Sequence, residues 1–171
     1  MLKPAILYQE ELEKKIVETW HDEKYMYFRR THYDEMISIE NDTSSFHQFV
    51  SLDSNNEVIG YINYYIYQAG KSCSDFAIIS FDMCNPIFAK DVMQTIHNCF
   101  YKYNFNRIEW GCYADNPAIN IYRKFIKKCG GREVGVLHQN VQLMDRELHD
   151  TVLFEIMKNE YKPLKTFQKY K

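Results

Sequence analysis

At 171 residues, with 46% hydrophobic and 16% aromatic side chains, the chain has the size and apolar content of one domain around one core. A formal net charge of -2, with no basic stripe on any predicted face, argues against a nucleic-acid partner, and the lack of a long apolar run argues against a membrane span. The N-terminus turns charged within a few residues, so no signal peptide is expected and the protein is read as cytoplasmic.

In chain order, "QEELEKKIVETWHDEKYMYF" predicts an opening helix over 9–28, because Leu12, Ile16 and Trp20 recur every four residues between charges. "THYDEMISIEN", 31–41, reads as a second helix. "FHQFVSL" and "EVIGYINYYIY" are rich in β-branched and aromatic residues and flank "DSNN", which reads as a hairpin turn. A third strand, "SDFAIISFDM", runs into "MCNPIFAKDVM". There Asn85 and Pro86 look like the cap and first residue of a helix whose apolar face is Ala89, Val92, Met93, Ile96, Phe100 and Tyr103. "RIEWGCY" reads as a short strand and "NPAINIYRKFIKKCGG" as a helix that starts at Asn-Pro and stops at a double glycine, with Ala118, Tyr122, Phe125 and Cys129 inward. Two strands, "EVGVLHQNVQLM" and "TVLFEIM", flank a turn at "DRELHD". The order α-α-β-β-β-α-β-α-β-β predicts a single α/β (α+β) domain over 1–171 with helices on a mixed sheet and a basic tail from about 162.

The five cysteines, Cys73, Cys84, Cys99, Cys112 and Cys129, are odd in number and widely spaced, with no C-x-x-C pair and no histidine at ligand spacing. They read as reduced core thiols, and no metal site is expected.

The stretches "CFYKYNFNRIEWGCYADNPAINIYRKF" and "GGREVGVLHQNVQLMDRELHDTVLFEI" resemble the GNAT superfamily of acetyl-CoA-dependent N-acyltransferases, in the branch of ribosomal-protein and small-amine acetyltransferases. The first is similar to the family's run of helix end, strand and Asn-opened helix with a tyrosine two turns in. The second is similar to its closing hairpin. The resemblance implies a mostly antiparallel sheet whose central parallel pair splays apart, with acetyl-CoA as cosubstrate in the gap and an amine, on a small molecule or a peptide, as acceptor.

The same resemblance implies roles for named residues. Tyr122 matches the tyrosine that protonates the departing sulfur, although its spacing from Ala118 also suits plain packing. Asn116, with Asp115 one residue before it, falls where an asparagine contacts the cofactor arm, and Asn116-Pro117 also reads as an ordinary cap. For a general base the third strand offers Asp82 and Asp75, and the fourth Glu109. Asp82 is preferred because an acid ending an apolar strand beside a gap has its pKa raised by burial, although it could equally serve the following helix start. His149, Asp150 and His138 read as structural.

One motif departs from the family pattern. Its pyrophosphate grip, Q/R-x-x-G-x-G/A, aligns with "MCNPIF", placing Met83 at the Gln/Arg position, Pro86 at the first glycine and Phe88 at the second small residue. The N-H groups of Ile87, Phe88 and Ala89, with the charge of Lys90, are what remains there to meet phosphates. The aromatic strands leave room for a homodimer face.

Overall fold

The computed structural model describes residues 1–28, 35–41 and 44–164. Seven strands, β1 (Leu2–Pro4), β2 (Phe46–Leu52), β3 (Val58–Tyr67), β4 (Ser72–Ser80), β5 (Arg107–Tyr113), β6 (Arg132–Gln142) and β7 (Leu148–Met157), alternate with helices α1 (Gln9–Val17), α2 (Pro86–Tyr101) and α3 (Ile119–Cys129). They make one sheet in the order β1-β2-β3-β4-β5-β7-β6, antiparallel except for the pair β4–β5. This is the mixed, mostly antiparallel architecture that the sequence implies.

Alternation along β3 divides the core. Tyr61 joins Leu12 and Ile16 of α1 with Val50 and Leu52 of β2, while its neighbour Ile62 joins Ile59 and Phe88 of α2. Successive side chains on a strand face opposite ways, so α1 and the start of α2 cover opposite faces of this half of the sheet. A third cluster unites Ile96, Cys99 and Phe100 of α2 with Ile108, Trp110 and Phe154 beneath α3.

Several elements differ from the sequence reading, each for a local reason. α1 stops at Val17, eleven residues early, where Thr19 Oγ1 bonds the carbonyl of Ile16 at 2.7 Å and His21 takes a left-handed φ of 57°. Of the second predicted helix, 31–34 lie outside the described residues, and 35–41 carry no helix. Instead Gln48 on β2 holds that segment from below: its Nε2 donates to the carbonyl of Ser38 (2.7 Å) and its Oε1 accepts from the N-H of Glu40 (2.8 Å). A buried side-chain amide thus does the work that a helix ladder would do.

The hairpin turn is as expected, with Asp53 Oδ1 accepting from the N-H groups of Asn55 and Glu57. β4 ends at Ser80, so Phe81, Asp82 and Met83 lie past the strand rather than on it. The buried face of α2 includes Phe88, Asp91, Thr95 and His97 and leaves Ala89 exposed. Counting apolar positions missed this rotation because polar side chains share the buried face: Asp91 accepts from Ser51 Oγ at 2.8 Å, and Thr95 Oγ1 bonds the Asp91 carbonyl at 2.9 Å. At the last hairpin, Leu148, His149 and Asp150 belong to β7, not to the turn.

Candidate active site

β4 and β5 are paired only at Ser72↔Arg107 and Cys73↔Ile108. Beyond those residues each strand keeps its outer neighbour, β4 with β3 as far as Gly60↔Ser80 and β5 with β7 as far as Tyr113↔Thr151. The strands diverge, and their facing backbone edges have no ladder partner across the gap. A bulge contributes to the parting. Between Asn63↔Ala77 and Tyr65↔Ser74, β4 holds one more residue than β3, and Asp75 there takes a φ of 49°. An extra residue bends its strand and adds twist.

The gap opens as a cavity of about 410 Å³. Asp75, Phe76, Ala77 and Ile79 line it from β4, Gly111, Cys112 and Tyr113 from β5, and Asn116 and Tyr122 from the loop and helix beyond. The segment after α1 crosses above both lips. Tyr25 Oη donates to the carbonyl of Phe81 (3.3 Å), past β4, and Tyr27 Oη donates to that of Asp115 (2.9 Å), past β5. The charged side chains lining the cavity are Glu35 and Asp75, and among the described residues no lysine, arginine or histidine joins them.

Tyr122 sits on one wall, its ring packed against Trp110 and Phe154 with centroids 6.0 and 5.9 Å apart. Burial pushes its phenol well above the ordinary value of 10.0, so it is present as the neutral O-H, a donor. Its hydroxyl bonds no protein group among the described residues. Nearby, burial pushes the Cys112 thiol up to about 11, with Arg123 opposing the shift. Asn116 both lines the cavity and shapes the chain: its Oδ1 accepts from the Ala118 N-H at 2.9 Å, ahead of the first residue of α3, Ile119.

The other sequence-derived site residues lie elsewhere. Asp82, Met83, Ile87, Phe88, Ala89 and Lys90 do not line this cavity. Asp82 is exposed, and its carboxylate accepts from Asn85 Nδ2 at 2.7 Å. Asn85 is the cap of α2 with Pro86 behind it, as the sequence reads, and its Oδ1 accepts from the N-H groups of Ile87 (2.8 Å) and Phe88 (3.3 Å). The Ala89 N-H bonds the Asn85 carbonyl at 3.1 Å. Phe88 is buried with its ring against Gly60, while Met83, Ala89 and Lys90 are exposed. The start of α2 therefore keeps its own donors occupied.

Of the two lining carboxylates, Asp75 is one of the bases that the sequence offers on the third strand, while Glu35 was not singled out. Asp75 owes its place to a bulge, which leaves no composition signal. Glu35 lies in a stretch whose spacing imitates a helix. At the rim, His149 is held between two carboxylates, Asp115 at 3.0 Å on Nδ1 and Asp145 at 2.9 Å on Nε2, which raise its pKa, Asp145 most. It is a structural clamp on the loop that carries Asn116. Among the described residues no group of three or more His, Cys, Asp or Glu side chains is placed to hold a metal ion.

Solved structures similar in fold include spermidine N-acetyltransferases and a protein provisionally described as an acetyltransferase. The spermidine/spermine N-acetyltransferase SpeG from Vibrio cholerae is similar at a TM-score of 0.60 and 19% identity, over 68% of this chain and 68% of that one. A provisionally assigned acetyltransferase is similar at a TM-score of 0.67 and 16% identity, over 93% and 83% of the two chains. The dodecameric spermidine N-acetyltransferase from Vibrio cholerae gives 0.61 and 18%, over 75% and 71%. No protein-family model matches the chain, and no curated protein matches it in sequence. The likeness is one of fold: the chain has the GNAT α/β fold, with its divergent parallel strand pair.

Proposed function

We propose that the protein is an N-acyltransferase that moves an acyl group, acetyl in the simplest case, from a thioester donor such as acetyl-CoA to a primary amine. The observation that carries this reading is the parting of β4 and β5 beyond Cys73 and Ile108, with the neutral hydroxyl of Tyr122 on the wall of the resulting cavity. A pantetheine arm is itself a chain of amides, and unpaired strand edges offer it the bonds of an added strand.

A thioester bound there supplies an activated acyl carbon. The chain's own groups then serve the attack of the amine. Asp75, at the bulge, is placed to take the proton of an incoming ammonium directly or through water, a role in which the sequence had favoured Asp82. Tyr122 donates its proton to the sulfur as the carbon-nitrogen bond forms and the carbon-sulfur bond breaks. Asn116 lines the cavity and braces the turn into α3 by accepting from the Ala118 N-H. Glu35, Asp75 and the rings of Tyr27, Phe28 and Tyr61 favour a cationic acceptor, since carboxylates and aromatic faces both attract ammonium groups. Spermidine, the acceptor of the similar Vibrio enzymes, is of that kind.

A second reading, a module of this fold without transfer activity, is favoured by the occupied donors at the start of α2. Release of free thiol from acetyl-CoA with spermidine and with other primary amines separates the two. Amine-dependent release supports the transferase; no release and no thermal stabilisation at millimolar donor support the module.

A further inference from the structure

We infer that the acyl donor is recognised through its pantetheine thioester arm alone, the nucleotide half of coenzyme A being left ungripped. A thioester that lacks the nucleotide therefore serves as well as the complete coenzyme. This deepens the proposed function and rests on its reading of the β4–β5 cleft as the donor site.

A helix start holds a pyrophosphate with backbone N-H groups that have no partner inside the helix. In α2 the first position is Pro86, which has no N-H. The next two, Ile87 and Phe88, are both directed at Asn85 Oδ1, and the fourth, Ala89, closes on the Asn85 carbonyl. None of the first four is left to meet an anion.

The cap is itself fastened. Asn85 Nδ2 donates to Asp82 at 2.7 Å, and Ser80 Oγ donates to the Asp82 carbonyl at 2.6 Å, so the loop between β4 and α2 is bonded end to end. The Asp82 carboxylate puts a negative charge beside the helix start, which is favourable to the helix and repels a second anion. Nor can the first turn move aside freely, because the Phe88 ring is buried against Gly60. Lys90 is an exposed cation one turn in, and a solvated lysine attracts an anion weakly. The arm side of the cleft has the opposite character, with open strand edges and a lined cavity.

The test compares acetyl-CoA with acetyl-pantetheine as donors to spermidine, by thiol release with the full chain. The expected result is kcat/KM values within about fivefold of each other. A preference for acetyl-CoA of about 100-fold or more overturns the inference and leaves the transferase reading standing. Thiol release from neither donor, with no thermal shift from either, overturns both. Opening the cap with Asp82→Asn and Asn85→Gly together is expected to move the ratio toward acetyl-CoA by about threefold or more. A ratio unchanged in a folded variant removes Asn85 and Asp82 as its cause and overturns the inference as stated.

Discussion

The ring of Phe88 fills the space that a side chain at Gly60 would need: a Cβ built there would lie 2.3 Å from the ring. A residue at the start of α2 and a residue on β3 thus fit each other, and the fit pins the helix start to the sheet. Gly60→Ala is expected to cost about 1–3 kcal/mol through overpacking, and Phe88→Ala about 3–5 kcal/mol through the cavity it leaves. The double variant is expected to cost clearly less than the sum, because the added methyl then enters the vacated space. Urea unfolding of the three variants measures this, and simple additivity would contradict the fit.

Gln48 ties the 35–41 segment, and with it Glu35, to β2. It also donates to Tyr61 Oη at 2.7 Å, so one amide serves three partners. Gln48→Ala leaves buried groups unpaired, at a cost of about 1–3 kcal/mol. Amide hydrogen exchange is expected to quicken at Glu40, and KM for the amine to rise more than KM for the donor. Equal changes in both would mean that the segment does not shape the acceptor side.

Tyr122→Phe keeps the packing on Trp110 and Phe154 and removes the hydroxyl. If the tyrosine protonates the leaving sulfur, kcat falls by about 100-fold or more while KM changes little. A variant as fast as the wild type would remove Tyr122 from the chemistry.

His149 gives a pH dependence whose sign follows from its neighbours. Asp145, first, and Asp115 raise its pKa above the ordinary 6.5, so its stabilising contribution is full below that value and is lost as pH rises through the higher folded value. Asp145, bonded to it, is held below the ordinary 3.8, and that contribution is lost as pH falls through the lowered value. The stability gap between wild type and His149→Gln is therefore expected to be widest from about pH 5 to 6.5 and to shrink toward alkaline pH. A gap that grows toward pH 9 would contradict the clamp.

The sheet was legible because its strands carry their own signals. β2 and β5 begin and end where "FHQFVSL" and "RIEWGCY" do, and the Asn-Pro start of α2 is a local signal with a local outcome. What sequence reasoning missed depends on contacts distant along the chain. The segment at 35–41 is set by Gln48, the rotation of α2 by Ser51 and Asp91, and the placing of Asp75 by a bulge opposite Tyr64. That the Asp82 carboxylate would fasten the Asn85 cap was not legible, because it is a matter of side-chain direction.

The gap between β4 and β5 is the proposed seat of the acyl donor's arm. Backbone amide NMR during titration with a non-reactive thioether analogue of acetyl-CoA tests it most directly. Saturable shifts are expected at Ala77, Ile78, Ile79 and Gly111 along the gap, with Ile87, Phe88 and Ala89 little changed. Shifts confined to Ile87–Ala89, or none at millimolar analogue, would contradict it.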